Sequence, residues 1–239
     1  MDANADTQEQ IDYVGNELEL FQLAKNWKRY LGSRLRPFVT GDSLEVGAGM
    51  GANVPYFRFD ASKRWVSLEP DAGLCDDYRR QQTEGTIPSD CELVQGTLKS
   101  LPPDETFDSI LYIDVMEHLP DDKAEFERAF RRLRAGGHLM ILCPAHNFLF
   151  SPFDKTIGHF RRYDKSMYRN LSDRRPVRLE YLDSIGMMAS LSNKLLLRQS
   201  YPTANQIKLW DRVFVPVSRI ADPLTFGMLG KSILGVWKN

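Results

Sequence analysis

A glycine-rich stretch that begins with an acidic residue carries the clearest chemical signal in this sequence. Residues 44–53 read LEVGAGMGAN, at the end of an apolar run. Glycines such as Gly47 and Gly49 let a backbone turn tightly and approach a ligand, because a Cβ atom would collide with it. Glu45 lies two residues before the first glycine, where a carboxylate attracts an ammonium group and repels a pyrophosphate. The stretch therefore predicts a site for a small ligand with a positively charged group.

A second carboxylate, Glu69, ends the next apolar run. It lies 20 residues after Gly49, at a place where a carboxylate can accept hydrogen bonds from both hydroxyls of a ribose. This argument holds equally for a nicotinamide dinucleotide, and Gly47, Gly49 and Ala52 also satisfy a looser form of the dinucleotide-binding pattern. A nicotinamide oxidoreductase is therefore an alternative, and Glu45 is the residue that disfavours it.

Two polar segments follow later apolar runs and extend this candidate site. Residues 94–98 read VQGTL and residues 113–119 read IDVMEHL. In an open parallel sheet, ligands bind beyond the carboxyl ends of the strands, where the strand order changes direction. All four segments lie at predicted carboxyl ends, so we expect them to converge on one crevice.

Short apolar runs that alternate with helical patterns position these segments. The runs predict strands at 43–46, 65–68, 92–94, 109–113, 139–142, 177–182 and 232–237, with helices near 52–58, 71–83 and 121–134. Strands that alternate with helices predict a parallel sheet with helices on both faces. The last two runs predict an antiparallel edge, and Gly136-Gly137 predicts a turn into the fifth strand. We therefore expect an α/β fold with a Rossmann-like, doubly wound, seven-stranded sheet, mostly parallel with an antiparallel last strand.

A helical segment at the start of the chain belongs to the same predicted domain, which spans residues 1–239. Apolar residues recur at spacings of three and four over residues 11–31, and this pattern predicts an amphipathic helix that ends near Gly32. Residues 1–36 are interpreted as a helical lid across the crevice, with Tyr13 or Trp27 in contact with bound ligands. The alternative is ordinary packing against the edge of the sheet.

A helical insertion over residues 186–230 precedes the last strand. We expect it to wall an apolar acceptor pocket, to mediate dimerisation or to complete the core, and Pro216 to bend or restart one of its helices. Its helices are short and interrupted by prolines, which disfavours a membrane anchor. Residues 145–163 are expected to form a long functional loop, after which Asp164 caps a short helix near 165–172.

Composition excludes several classes of protein. The chain has 239 residues, 42% of them apolar, with 31 basic and 32 acidic residues and a net charge of -1. Global disorder is excluded, and there is no electrostatic case for a nucleic-acid partner. Three cysteines without a CxxC pair indicate buried free thiols in a reducing cytosol. The first residues lack the basic and apolar regions typical of a signal peptide, and the sequence has no apolar run long enough to span a membrane. We therefore expect a cytoplasmic protein without a signal peptide.

Four segments together resemble the class I S-adenosylmethionine-dependent methyltransferases, in particular bacterial members that act on small molecules. The resembling segments are the glycine motif at 44–51, the acidic tip at 68–70, the fourth-strand motif at 107–119, and the turn and fifth strand at 133–140. The resemblance covers about residues 40–165 and implies S-adenosylmethionine as the cofactor.

The resemblance also implies a set of cofactor-binding residues. Glu45 and the glycine backbone would face the methionine part, Glu69 would hold the ribose hydroxyls, and Asp114 would lie beneath the methionyl end. Many members carry an acid where this chain has Thr97, whose hydroxyl accepts more weakly. The full predicted set is Tyr13, Glu45, Gly47, Ala48, Gly49, Gly51, Asn53, Glu69, Pro70, Gly96, Thr97, Leu98, Asp114, Val115 and His118.

The sequence indicates the acceptor-binding residues less clearly than the cofactor-binding residues. A general base is needed only if the acceptor keeps its proton until attack, and the predicted catalytic residues are His118, His146, His159 and Tyr163. Arg161 and Arg162, with Tyr163, are predicted to bind the acceptor, because a guanidinium can hold an anionic group with two hydrogen bonds. No metal site is predicted.

The leading hypothesis is in-line methyl transfer from S-adenosylmethionine to a small-molecule acceptor. Two alternatives keep the cofactor. In the first, the chemistry is aminobutyryl transfer or an intramolecular cyclisation that releases methylthioadenosine. In the second, the chain is a non-catalytic cofactor-binding subunit. A homodimer also remains open.

Overall fold

A seven-stranded sheet forms the centre of the protein. A computed structural model describes residues 21–192 and 203–239. The strands are β1 Ser43–Val46, β2 Trp65–Glu69, β3 Glu92–Gln95, β4 Phe107–Ile113, β5 Leu133–Pro144, β6 Arg178–Leu182 and β7 Ser232–Lys238. Their order is β3-β2-β1-β4-β5-β7-β6. The first five strands pair parallel with one another, and β7 is antiparallel to both β5 and β6. The predicted fold class is confirmed.

Nine helices and a π-helical turn connect the strands within the described residues. The helices are α1 Lys25–Leu35, α2 Val54–Phe57, α3 Ala72–Thr83, α4 Asp122–Arg131, α5 Pro152–Thr156, α6 Lys165–Arg169, α7 Ser184–Ser192, α8 Ala204–Leu209 and α9 Val215–Leu224. The π-helical turn, Trp210–Phe214, joins α8 to α9, and Pro216 lies in the first turn of α9. The helical backbone runs from 204 to 224 without a break, so the predicted restart at Pro216 is wrong, and a bend there stays a prediction. Asp164 caps α6 by accepting hydrogen bonds from two backbone N–H groups.

Both faces of the sheet carry a core. Successive strand residues point to opposite faces. Ile110 on β4 belongs to the core that contains Phe126 of α4, whereas its neighbour Leu111 belongs to the core that contains Leu31 of α1. The sheet is therefore covered by helices on both sides, and its carboxyl edge is left to the loops.

The predicted end of the N-terminal helix at Gly32 is wrong, because α1 continues to Leu35. A Cβ atom on Gly32 would lie 2.8 Å from the carbonyl oxygen of Tyr56. The glycine therefore allows α1 to pack closely on α2 and does not end the helix. The part of the predicted helix before residue 21 lies outside the described residues.

The predicted turn at Gly136-Gly137 is also wrong, because both glycines lie within β5. The pairing of β4 with β5 shifts between Phe107 and Ser109, and Gly136 has a φ of 80°. The glycines therefore permit an irregularity in a continuous strand.

The last two strands, β6 and β7, pair antiparallel as predicted. The edge strand of the sheet is β6, and β7 lies between β5 and β6.

Buried aspartates tie the insertion to α1. Asp211, in the π-helical turn, accepts hydrogen bonds from the backbone N–H groups of Asn26 (3.1 Å) and Trp27 (2.8 Å). It therefore supplies the N-terminal cap that α1 lacks from its own sequence. Asp222 in α9 accepts from the hydroxyl of Tyr30 at 2.8 Å. As a result, α1, the π-helical turn and α9 pack together.

The other composition-based expectations can be compared with the structure. Cys75, Cys91 and Cys143 are all buried and free, which confirms the prediction for the thiols. Among the helices of residues 21–192 and 203–239, none combines the length and apolar character needed to cross a bilayer.

Candidate active site

A cavity of about 530 Å³ lies at the carboxyl edge of the sheet, beneath α1. Its wall includes Gly47 after β1, Glu69 at the end of β2, Gly96 after β3 and Asp114 after β4. The structure thus brings the four predicted segments together in one crevice. The volume lies within the range of small-molecule sites in proteins.

The glycine-rich turn shapes one wall of this cavity. Gly47 has a φ of 68°, a conformation that glycine adopts without the penalty that other residues incur. A Cβ atom at this position would lie 2.5 Å from Cγ2 of Val115. The N–H groups of Gly47 and Ala48 donate to the carbonyl of Leu68 at 2.8 and 3.1 Å. The turn is therefore held against β2 with its backbone exposed to a ligand.

Glu69 connects the tip of β2 to the glycine turn. Its Oε2 accepts from the N–H of Gly49 at 2.7 Å, and its Oε1 accepts from the N–H of Asp71 at 3.0 Å. An ionised carboxylate offers about four acceptor sites, so two remain for a ligand. A pair of ribose hydroxyls fits this remaining capacity.

Glu45 lies behind the glycine turn and is 1% exposed. Its Oε1 accepts from Nδ2 of Asn53 at 2.9 Å, whereas Oε2 has no hydrogen-bond partner among the described residues. Burial raises the pKa of Glu45 to about 7, and the nearby charge of Glu69 acts in the same direction. A buried carboxylate oxygen without a partner is unfavourable unless a ligand supplies one, and a ligand's ammonium group would do so.

The other end of the cavity is lined by Glu117, His118 and His159. The first two lie on a 3-10 helix that follows β4, and the third comes from the loop after β5. Nε2 of His159 lies 3.8 Å from Oε1 of Glu117, and the rings of the two histidines meet edge to face with centroids 4.6 Å apart. Burial lowers the pKa of His118 to about 4, and His159 contributes in the same direction. His118 is therefore neutral at physiological pH.

A buried ion pair fixes the orientation of His159. Its Nδ1 lies 2.9 Å from Oδ1 of Asp154. Arg162 donates to both carboxylate oxygens of Asp154, at 2.8 and 2.9 Å, and Ser151 donates to one of them. Although burial opposes ionisation, the hydrogen bonds from His159 and Arg162 lower the pKa of Asp154. This ionised carboxylate holds the imidazole with its other nitrogen towards Glu117.

Many of the predicted site residues line the cavity. Those that do are Gly47, Ala48, Gly49, Asn53, Glu69, Pro70, Gly96, Thr97, Asp114, Val115, His118, His159 and Arg162. Three predicted cofactor-binding residues lie behind this wall: Glu45 is buried, Gly51 packs against Tyr78, and Leu98 belongs to the core. Tyr13 lies outside the described residues.

Three residues predicted for the acceptor end lie away from the cavity wall. His146 packs on the ring of Tyr181, with centroids 4.5 Å apart. Tyr163 is fully buried and donates to Oδ2 of Asp122 at 2.8 Å. Arg161 pairs with the same carboxylate, also at 2.8 Å. The roles assigned to these three residues remain predictions without geometric support.

The sequence analysis assigned no role to several polar residues of the cavity wall. These are Lys28, Glu117, Asp154 and Lys231. Glu117 could have been noticed because it immediately precedes His118 at the end of a predicted strand. Lys28 and Lys231 carry no local signal, since the packing of distant elements brings them to the cavity.

Comparison with known proteins agrees with this geometry. Residues 44–141 match the family model described as a methyltransferase domain. A ubiquinone biosynthesis O-methyltransferase from Paramagnetospirillum magneticum is 29% identical over 129 residues, which cover 52% of this chain and 50% of that protein. The chain spans about half the length of the curated relatives it matches.

Two solved structures show the same fold. A coclaurine N-methyltransferase bound to N-methylheliamine and S-adenosylhomocysteine has a TM-score of 0.63 at 12% identity, over 97% of this chain and 83% of that chain. A methyltransferase from Archaeoglobus fulgidus has a TM-score of 0.57 at 14% identity, over 94% of this chain and 100% of that chain. These two structures show the fold of this chain, and the family model shows that residues 44–141 are similar to methyltransferase domains.

Proposed function

We propose that this protein transfers a methyl group from S-adenosylmethionine to a small-molecule acceptor. One observation carries the proposal: a single cavity has Glu69 and the glycine turn at one end and Glu117, His118 and His159 at the other. The first end suits the ribose and amino-acid parts of the cofactor. The second end offers polar groups to an acceptor.

The cofactor end would act through positioning. Glu45 would attract the ammonium group from behind the cavity wall, because its buried Oε2 lacks a partner among the described residues. Glu69 would accept the ribose hydroxyls with its remaining lone pairs. When bound, the cofactor supplies a methyl group that is already activated by a sulfonium. The chain's task is to align the acceptor with that methyl group and to exclude water, which can lower a barrier by roughly 7–11 kcal/mol.

The acceptor end would exclude water with apolar side chains. The cavity wall includes the apolar side chains of Trp27, Leu31, Phe153, Ile157 and Trp210. An acceptor lone pair would form the new bond to the methyl carbon while the carbon–sulfur bond breaks. The acceptor then loses a proton if it carried one. Such a wall favours a compact acceptor with an apolar body. The helix α1 and the insertion would cover the cavity.

The first experiment combines binding and product analysis. We expect isothermal titration calorimetry to show S-adenosylhomocysteine binding at one site per chain, and we expect mass spectrometry to show S-adenosylhomocysteine release with a panel of small acceptors. Release of methylthioadenosine would instead support one of the alternative chemistries. Cofactor binding without turnover on any acceptor would support a non-catalytic subunit. Absence of cofactor binding would overturn the proposal.

Cofactor affinity should rise with pH between 5.5 and 7.5. With a pKa of about 7, about one Glu45 carboxyl in 30 is ionised at pH 5.5 and about three in four at pH 7.5. The ammonium group binds the ionised form, so protons are released on binding in this range. We expect S-adenosylhomocysteine affinity to increase roughly 20-fold across the range, measured by calorimetry in buffers of different ionisation enthalpy.

The Glu45→Gln variant is the matched control for this pH dependence. A glutamine keeps the hydrogen bond to Asn53 but does not titrate. Asp114 also titrates in this range, since burial raises its pKa to about 6, so the variant separates the two groups. A pH profile unchanged in Glu45→Gln would show that Glu45 does not meet the ammonium group.

A further inference from the structure

We propose that Glu117, His118 and His159 bind a divalent transition-metal ion at the acceptor end of the cavity. Each of the three residues offers one ligand atom, and these atoms all lie within 4.8 Å of one another. All three side chains line the cavity. Metal binding is inferred from the cluster itself, and the ion's role in holding the acceptor rests on the proposed function.

The spacing of the ligand atoms suits a metal ion. Zinc binds imidazole nitrogen and carboxylate oxygen at about 2.0–2.2 Å, which in a tetrahedral site separates the ligand atoms by roughly 3.4 Å. Nε2 of His159 and Oε1 of Glu117 are 3.8 Å apart. Small side-chain rotations would therefore bring them into coordination range without movement of the backbone.

Glu117 provides an independent observation that a cation belongs here. Its side chain is fully buried, and neither carboxylate oxygen has a hydrogen-bond partner among the described residues. An unpaired buried carboxylate is strongly unfavourable. The nearby Arg162 uses its guanidinium on Asp154, and Lys231 lies 3.6 Å from Asp183. A bound metal ion would neutralise Glu117 where these side chains do not.

The contacts of His159 match those of a metal ligand. Histidines that bind metals usually donate their other ring N–H to a carboxylate, which fixes the tautomer. Asp154 takes this place at Nδ1 of His159, so Nε2 faces Glu117. Arg162 and Ser151 in turn hold Asp154 in position. His118 offers the third ligand atom, within 4.8 Å of those of Glu117 and His159.

The donor set indicates the class of metal and its role. Two imidazoles and one carboxylate suit zinc, iron, cobalt or manganese, whereas magnesium and calcium prefer oxygen ligands. Three protein ligands leave at least one position open towards the cavity. An acceptor hydroxyl would occupy it and lose its proton to water, because a bound cation lowers the pKa of a coordinated oxygen acid. The proposed acceptor is therefore a compound with an ionisable hydroxyl.

Titration of the chelator-treated full chain tests the site directly. We expect one Zn²⁺ per chain by calorimetry and a Co²⁺ absorption spectrum typical of nitrogen and oxygen ligands. The Glu117→Gln and His159→Gln variants should each weaken Zn²⁺ binding at least about 100-fold. Asp154→Asn should weaken it about 10- to 100-fold, as expected for a residue that orients a ligand. His138→Gln, in β5 and outside the cavity wall, is the matched control and should bind Zn²⁺ normally.

Cofactor binding by the same samples separates this proposal from the proposed function. A protein that binds S-adenosylhomocysteine but neither Zn²⁺ nor Co²⁺ overturns the metal site, as does Zn²⁺ binding that survives both Glu117→Gln and His159→Gln. A protein that binds Zn²⁺ through these residues but does not bind S-adenosylhomocysteine overturns the proposed function instead. Circular dichroism melting of each variant shows that it is folded.

Discussion

Replacing Glu69 with glutamine should weaken S-adenosylhomocysteine binding by about 100-fold or more. The carboxylate already accepts from the backbone N–H groups of Gly49 and Asp71. Its two remaining acceptor sites would bind the ribose hydroxyls. A hydrogen bond to a charged acceptor contributes about 1.5–3 kcal/mol. Glutamine is uncharged, so both hydrogen bonds from the ribose would lose their charged acceptor. A loss of about 3 kcal/mol corresponds to roughly 100-fold in affinity, which calorimetry measures.

The amide group of Glu69→Gln adds a second penalty. Both carboxylate oxygens accept from backbone donors, so the NH₂ group of glutamine must face one of these N–H groups. The glycine turn would then shift away from its present position. Glu84→Gln is the matched control, because Glu84 is exposed at the end of α3. A Glu69→Gln variant that binds the ligand as well as the control does would show that Glu69 does not hold the ribose.

The glycine turn and the strand-tip carboxylates of the cavity were predictable because their sequence signals are local. Glycines at a strand end and carboxylates at strand tips are set by short sequence segments and by the rule that parallel strands end at one edge. The sheet itself was predictable for the same reason, since apolar runs mark each strand. Gly32 and Gly136 were misinterpreted because a glycine in sequence does not show whether it ends an element or permits close packing.

The acceptor end was only partly predictable because its geometry is set by contacts between distant residues. His159 was chosen by residue type, but its orientation depends on Asp154, which is held by Arg162. The sequence pattern suggested that Arg162 binds an acceptor anion, whereas its guanidinium is occupied by a buried carboxylate. Tyr163 was predicted because of its hydroxyl, but the side chain is fully buried and the hydroxyl donates to Asp122. Residue type gave the candidates, and tertiary packing decided which of them face the cavity.

Replacing Asp183 with alanine should lower the stability of the whole domain by about 3–5 kcal/mol, the usual cost of removing one partner from a buried charged network. Asp183 is fully buried and accepts from Nε1 of Trp210 at 2.7 Å and from Oγ of Ser218 at 2.6 Å. Lys231 lies 3.6 Å from the same carboxylate. A fall in melting temperature of about 6–20 °C is expected for a chain of this size, measured by calorimetric or circular dichroism melting.

The Asp183→Ala substitution should also alter the cavity, because Trp210 and Lys231 line its wall. Alanine leaves the indole N–H and the ammonium group without their acceptor, and a φ of 65° at this position is more strained for alanine than for aspartate. Asp183→Asn keeps one acceptor and tolerates this backbone, so its melting temperature should lie between those of the parent and Asp183→Ala. Exposed Asp173→Ala is the control and should melt like the parent. If Asp183→Ala also melts like the parent, the buried aspartates do not hold the insertion in place.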